Sequence, residues 1–413
     1  MEVRMATGLV GQPMRRPRLI HAAILLVTSG LTTLATAILG PSLPRMQAHF
    51  SGAAHADYLV PLTLTVPMLA MAALSIFAGS LADRYGRKRM LVWSTAIYAV
   101  CGTAPLWLET LPSIFASRAL LGVTEAVLMT VSTTMIGDYF AGERRARYMA
   151  LQTTVASGSA FVLNNLGGAM GELGWRAPYW MYAVSVPLAL LMAVYLWEPK
   201  NESGPVAHVS DEPGVTFRVH RLVGICAIAV LVGISFMIVP VHLGYLFTAI
   251  AVHSPSAIGV AFGLNSLGVM CGTLCFGWIV APRFSVAGQL ALATFVAGLG
   301  FAGMAIARSY QALLFAAIVN GFGAGLLLPT AVTWNMRELP FAHRGLGVGA
   351  FQSSLFFGMF LNPILVVALE RTVGSRASAV GIVGIAFLLA SCVGLIAVLR
   401  SRAIAGVAGT DSR

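Results

Sequence analysis

Apolar runs of roughly bilayer length recur along the whole chain, and the polar stretches between them are short and hold most of the charge. The runs lie near 19–43, 58–81, 90–107, 114–136, 147–170, 178–197, 222–248, 257–281, 287–306, 311–334, 345–369 and 377–399. A helix needs roughly 20 mostly apolar residues to cross a bilayer. In hydrocarbon the backbone must satisfy its own polar groups, and a helix does so within one segment. The pattern therefore predicts an all-α membrane protein with twelve transmembrane helices. One stretch breaks the rhythm. Pro199–Arg221 holds Asn201, Glu202, Gly204, Pro205, Asp211, Glu212, Pro213 and Gly214, and it reads as a solvated linker. The expected organisation is a tail over 1–18, a six-helix bundle over 19–197, a linker over 198–221, a second six-helix bundle over 222–399 and a tail over 400–413.

The two halves echo each other. Asp138 aligns with Glu338, Arg144 with Arg344, Ala150-Leu151-Gln152 with Ala350-Phe351-Gln352, and Gly158 with Gly358. Such parallel repeats imply two pseudo-symmetric bundles. Composition agrees with membrane burial: 58% of the 413 residues are hydrophobic and 10% are charged. A soluble domain carries about 25% charged residues. The net charge of +11 raises nucleic acid as a partner. The cations sit in short loops between spans, so that reading is set aside and the lipid bilayer is the expected partner.

Lys and Arg accumulate in cytoplasmic loops. With both termini in the cytoplasm, 20 of the 26 cations fall in inner loops and tails, five fall in outer loops, and Arg118 lies within a span. Arg15–Arg18 and Ala35-Thr36-Ala37 imitate a secretory signal, but the run between them has bilayer length and more spans follow, so a retained first helix is expected. The five Cys residues all lie in spans and read as packing thiols, with no metal site. Of the two lysines, Lys88 and Lys200, neither sits in a phosphate-binding glycine loop. His-Glu-x-x-His and Gly-x-Ser-x-Gly are both missing. The expectation is no enzyme and no cofactor. Movement of a small molecule would then be downhill, or driven by an ion gradient.

A gradient needs a titratable group within the membrane. Glu109 and Glu172 fall in outer loops, and Asp83 and Asp138 at inner helix ends; Glu125 lies mid-span. A charge there is costly, and such groups mark ion pathways. Its plainer role would be a hydrogen bond between helices. Arg118, Gly122 and Glu125 share one helical face, with a rise of roughly 10 Å from Arg118 to Glu125 and a glycine leaving a gap between them. A change in that distance would alter proton affinity. Thr28, Thr32 and Thr36 form a stripe on the first helix; it suits a substrate path, and equally suits hydroxyls bonded back to helix carbonyls. His242, beside Pro240, offers a second titratable group, although a lone His near a helix end is more often an interfacial residue.

The loop between the second and third runs reads Gly79-x-Leu81-Ala82-Asp83-Arg84-x-Gly86-Arg87-Lys88. It resembles the signature loop of the major facilitator superfamily, whose fold is two six-helix bundles. The second-half counterpart, Gly277-Trp278-Ile279-Val280-Ala281-Pro282-Arg283, has Ala281 where Asp83 stands. The resemblance implies a cytoplasmic charge relay of Asp83, Arg87 and Asp138, with Gly79, Arg84 and Gly86 in the same device. Asp83 would face the start of the eleventh helix near Gly345, where Gly347 and Gly349 permit close approach and the helix N-terminus carries roughly +0.5 charge. This would latch the outward-open state.

Arg118-x-x-x-Gly122 resembles the fourth-helix motif of proton-coupled members. With Glu125-Ala126 it is also similar to spinster-type lipid transporters, although Thr124 replaces an expected glycine. Leu163-Asn164-Asn165-Leu166-Gly167-Gly168 resembles the Gly-Pro-x-x-Gly-Gly run of drug:proton antiporters, with the first two positions changed. Asn164 and Asn165 join the substrate path on this basis. The resemblance implies a monomeric, multi-pass bacterial inner-membrane transporter that exports a small amphipathic organic compound in exchange for protons. Two alternatives stand beside it: a proton symporter for an organic acid with Arg118 as carboxylate ligand, and a lipid-handling or sensor protein without net flux.

Overall fold

The structure, a computed structural model, describes residues 17–199, 219–338 and 344–410. Most of the expected N-terminal tail, nearly all of the linker and the last three residues lie outside the described residues. The described residues are helical and hold no strand. In the first half the membrane helices are α1 (Leu19–Ala37), α2 (Ala56–Tyr85), α3 (Arg87–Thr103), α4 (Leu111–Tyr139), α5 (Gly142–Gly171) and α6 (Ser185–Tyr195, entered through a 3₁₀ segment Ala177–Val184). In the second half α7 comes in two pieces, Val219–Phe236 and Ile238–Ala249. It is followed by α8 (Pro255–Cys275), α9 (Val286–Ile306), α10 (Tyr310–Glu338), α11 (Arg344–Val373) and α12 (Arg376–Thr410). By length and composition, ten described segments can cross a membrane. The other two positions belong to α3, which is short and opens on three cations, Arg87, Lys88 and Arg89, and to α5, whose first turns carry Glu143, Arg144, Arg145 and Arg147.

Local chemistry sets the breaks. Gly86 separates α2 from α3 at φ +94°, a left-handed conformation that side chains resist. Ser254 and Ser285 cap α8 and α9 by accepting bonds from Ala257 and Gly288 backbone N–H groups at 3.3 Å. The degraded counterpart of the signature loop is a π-helical turn, Phe276–Val280, running into a short helix, Ala281–Arg283.

The break in α7 falls at Met237, three residues before Pro240. Asn362 of α11 bridges it: its Nδ2 donates to the Ile234 carbonyl at 2.7 Å, and its Oδ1 lies 3.0 Å from His242 Nε2. His242 is fully buried, which corrects its reading as interfacial. The first piece of α7 also packs tightly on α11. A Cβ on Gly233 would lie 2.1 Å from the Leu355 carbonyl, and one on Gly358 would lie 2.1 Å from that of Val230.

Gly122 serves a similar close crossing. A Cβ there would lie 2.4 Å from the Pro67 Cα and carbonyl oxygen of α2. The gap left by the glycine is thus filled by a neighbouring backbone, not left open between Arg118 and Glu125. Gly→Ala in a helix is normally worth about 1 kcal/mol in stability. Here the contact is with backbone and cannot yield, so overpacking costing about 1–3 kcal/mol should win. Gly122→Ala is expected to lower the thermal midpoint of the purified protein, whereas Gly158→Ala, with nothing within 4 Å, should not. Equal midpoints for the two variants would contradict this packing.

Among the described residues, polar side-chain contacts join the halves toward the end remote from the linker. Asn164 Nδ2 donates to Ser266 Oγ at 3.2 Å, Glu172 Oε1 accepts from Ser254 Oγ at 2.5 Å and from the Ser256 N–H at 3.0 Å, and Arg371 pairs with Asp57.

Candidate functional site

Arg118 and Glu125 both come from α4 and both point into the first bundle. Arg118 is 1% exposed and Glu125 is 0% exposed. Arg118 Nη1 donates to the Tyr182 hydroxyl at 2.8 Å. Its guanidinium lies 4.8 Å from the Tyr182 ring centroid and 5.4 Å from that of Tyr179. Cation–π contacts are worth about 0.5–2 kcal/mol, more when desolvated. Tyr98 of α3 closes the group: its ring lies 5.3 Å from Tyr182, and its hydroxyl donates to the Leu31 carbonyl of α1 at 2.5 Å. Tyr179 and Tyr182 thus hold the arginine while Tyr98 packs on Tyr182, and sequence reasoning did not single out any of the three. They are separated from Arg118 along the chain, and the only signal was a polar tip on an aromatic ring within an apolar span.

Glu125 is held differently. Neither of its oxygens has a hydrogen-bond partner among the described residues, and neither do Arg118 Nε and Nη2. The two residues form no ion pair with each other among the described residues. A buried polar group without a partner is rare and needs a reason. Here two oppositely charged groups on one helix face are buried together with bonding capacity left over.

At the linker end, Arg87 draws two acids together. Its Nε and Nη2 donate to Asp83 Oδ1 at 3.0 and 2.8 Å, and Nη1 bonds Asp138. Sequence reading missed Glu198, assigned to the linker. Its carboxylate accepts from the backbone N–H groups of Arg87 at 2.5 Å and Lys88 at 3.0 Å, capping α3. Gly86 leaves room for it, since a Cβ there would stand 3.1 Å from Glu198 Oε2. Arg84 lies over the Tyr85 ring at 5.7 Å, and a Cβ on Gly79 would make only ordinary contact with Thr130. Asp83, Arg84, Gly86, Arg87 and Glu198 line a cleft of about 700 Å³. The Asp83 side chain is 53% exposed, and among the described residues its hydrogen bonds go to Arg87.

On the expected substrate path, the α1 stripe bonds its own helix: Thr28 donates to the Ile24 carbonyl, Thr32 to Ser29 and Thr36 to Thr33. Asn164 and Asn165 bond back to Ala160 and Phe161 at 2.7 and 2.8 Å, and both face α8. Gly263 provides the space, its hypothetical Cβ lying 2.3 Å from Asn165 Nδ2. At the remote end, the Glu172 carboxyl is held below the usual carboxylate range by the Ser254 hydroxyl, the Ser256 N–H and Arg45. The contact is therefore charged through the neutral range and weakens only as pH falls through that lowered value.

The fold agrees with comparison to known proteins. The family model of the Major Facilitator Superfamily matches residues 25–361, and the chain belongs to that family of transporters. The tetracycline resistance protein, class C, of Escherichia coli is 26% identical over 366 residues, 84% of this chain and 89% of that protein. The cephamycin export protein CmcT of Amycolatopsis lactamdurans is 32% identical over 136 residues, covering 32% of this chain and 28% of its own. Among solved structures, a D-xylose-proton symporter superposes with TM-score 0.69 at 13% identity, covering 91% of this chain and 96% of that one. A bacterial homologue of the lysosomal transporter Spinster, inward-facing and unoccupied, gives 0.68 at 15% identity over 92% and 95%. At those identities the structural likeness concerns the fold. The chain is a multi-pass membrane transporter, not an enzyme, with drug-efflux relatives at low identity.

Proposed function

We propose that this transporter is a proton-coupled exporter of the bacterial inner membrane, carrying a small amphipathic organic compound outward by alternating access. The observation that carries the reading is Glu125: a carboxyl group wholly buried mid-span, with both oxygens unpartnered among the described residues, beside a half-satisfied arginine. Proton gain and loss at Glu125 changes the charge of this cluster, and so the energy difference between the two orientations of the bundles. A ligand shifts such an equilibrium only by its differential affinity for the two states. Arg118 is stacked and bonded within its own bundle, so the symporter alternative, in which it binds a substrate carboxylate, draws no support from this geometry. The export direction follows the relatives, which are named for resistance and export. The test is flux in proteoliposomes with an imposed pH gradient and a panel of amphipathic substrates. Uphill movement that tracks the gradient supports coupling, and flux indifferent to it removes coupling.

With the termini in the cytoplasm, the remote end is the outer one, and this form is closed to the outside. Among the described residues Asp83 accepts from Arg87, and its proposed latch to the eleventh helix belongs to the opposite, outward-open state. Asp83→Asn is expected to deplete that state. Distances between labels on α2 and α11 at the linker end should lengthen on average, and an unchanged distribution would remove the latch.

A further inference from the structure

We propose that Glu172 is a positioning residue of the transport cycle, whose carboxylate holds the outer end shut by binding the first turn of α8 across the boundary between the halves. The alternating-access reading gives it its place in the cycle, while the contact itself stands on geometry.

Glu172 follows the last residue of α5 and reaches the opposite half. Oε1 takes the Ser254 hydroxyl at 2.5 Å and the Ser256 N–H at 3.0 Å. Those groups are the cap and the second residue of a 21-residue helix, where unsatisfied N–H groups and the helix dipole favour an anion. Ser254 does two jobs, giving its proton to Glu172 while its oxygen accepts the Ala257 N–H at 3.3 Å. The carboxylate does not swing freely. Oε2 is paired with Arg45 at 2.9 Å, and Arg45 is itself anchored on the Gly171 carbonyl at 2.7 Å.

An exposed ion pair alone would be worth little, about 0–1 kcal/mol. Glu172 differs because the backbones beneath it are already in contact. A Cβ on Gly168 would fall 2.5 Å from the Pro255 carbonyl, and one on Gly171 would fall 2.8 Å from Pro255 Cβ. The acid therefore caps α8 only when these glycines are seated, and loses both α8 donors when the ends part. The contact exists in one state and not the other, as a latch requires. A second bridge, Asp57 to Arg371, joins α2 to α11 at the same end, with Arg371 over the Tyr58 ring at 4.6 Å. At the linker end the sequence resemblance implies an acid on α2 facing the N-terminus of α11. The outer end uses the same chemistry on the other inter-bundle pair, α5 and α8.

The experiment reads distance rather than transport, so it stays separate from the proton-coupling proposal. Spin labels replace Leu173 and Arg308, one exposed position on each half at the outer end, in the full chain with its five native cysteines substituted and in lipid nanodiscs without substrate or gradient. The unsubstituted latch should give mainly short distances. Glu172→Gln should raise the ratio of long to short populations about tenfold, the scale of a charged hydrogen bond partly screened by water. Ser254→Ala, which leaves every charge in place, should move it the same way by less. The double variant should fall short of the sum of the two, because both remove one contact. Distributions that match the parent in both single variants overturn the proposal. So does a Glu172→Gln shift accompanied by full additivity with Ser254→Ala, since the carboxylate would then act elsewhere.

Discussion

Replacing Glu125 with glutamine is expected to abolish uphill transport while leaving substrate exchange in place. The substitution keeps the size of a fully buried side chain and removes its ability to bind and release a proton. The tyrosines that hold Arg118 do not contact Glu125 through any hydrogen bond among the described residues, so they stay in register. A gradient of one pH unit is worth about 1.4 kcal/mol per proton, or about tenfold accumulation of substrate. In vesicles with an acid lumen, the parent protein should approach that ratio, and Glu125→Gln should stop at equal concentrations on both sides. Counterflow of labelled against unlabelled substrate needs no net proton movement and should persist. A variant that still accumulates substrate would place the proton elsewhere. One that loses counterflow too would show that Glu125 shapes the binding site.

The second large effect is expected at Gly168. Its α-carbon faces the Pro255 carbonyl and the Gly259 backbone so closely that a Cβ would lie 2.5 and 2.8 Å from them. Both neighbours are backbone, on a helix fixed by a proline and a serine cap. Leucine at this position adds four carbons where none fits. Each state of the transporter must close one end completely, and Gly168→Leu denies it the closed outer end. An overpacking cost of about 3 kcal/mol or more would reduce the population of that state, and with it turnover, about 100-fold. The signature distinguishing this from misfolding is retention of a folded, monodisperse protein in which the Leu173–Arg308 distance stays long. Near-normal turnover would mean that α5 and α8 are not pressed together during the cycle.

The spans were legible because a bilayer imposes one length and one polarity on every helix, and the turn at Gly86 because a tight reversal needs a residue free to take positive φ. Asp83, Arg87 and Asp138 could be grouped from their order in a resemblance, and the structure does bring them together. What escaped was set by contacts distant in sequence. The tyrosines around Arg118 come from α3 and from the segment before α6, and nothing local marks them. Glu198 and Glu172 read as ordinary loop acids, since capping a helix in another part of the chain leaves no trace in the neighbouring residues. His242 read as interfacial because it stands near a helix end; the Asn362 side chain that pairs with it belongs to α11, 120 residues away. The threonine stripe on α1 carried two readings, and its hydroxyls are engaged with their own helix.

The most direct test of the account is proton release on substrate binding, followed in weakly buffered detergent solution with a pH indicator. Substrate and proton compete in an antiporter, so saturating substrate should expel about one proton per protein from the parent chain at a pH where Glu125 is protonated. Glu125→Gln should bind the same substrate and release none. Equal release from both proteins, with binding intact, would contradict the assignment of the coupling proton to Glu125.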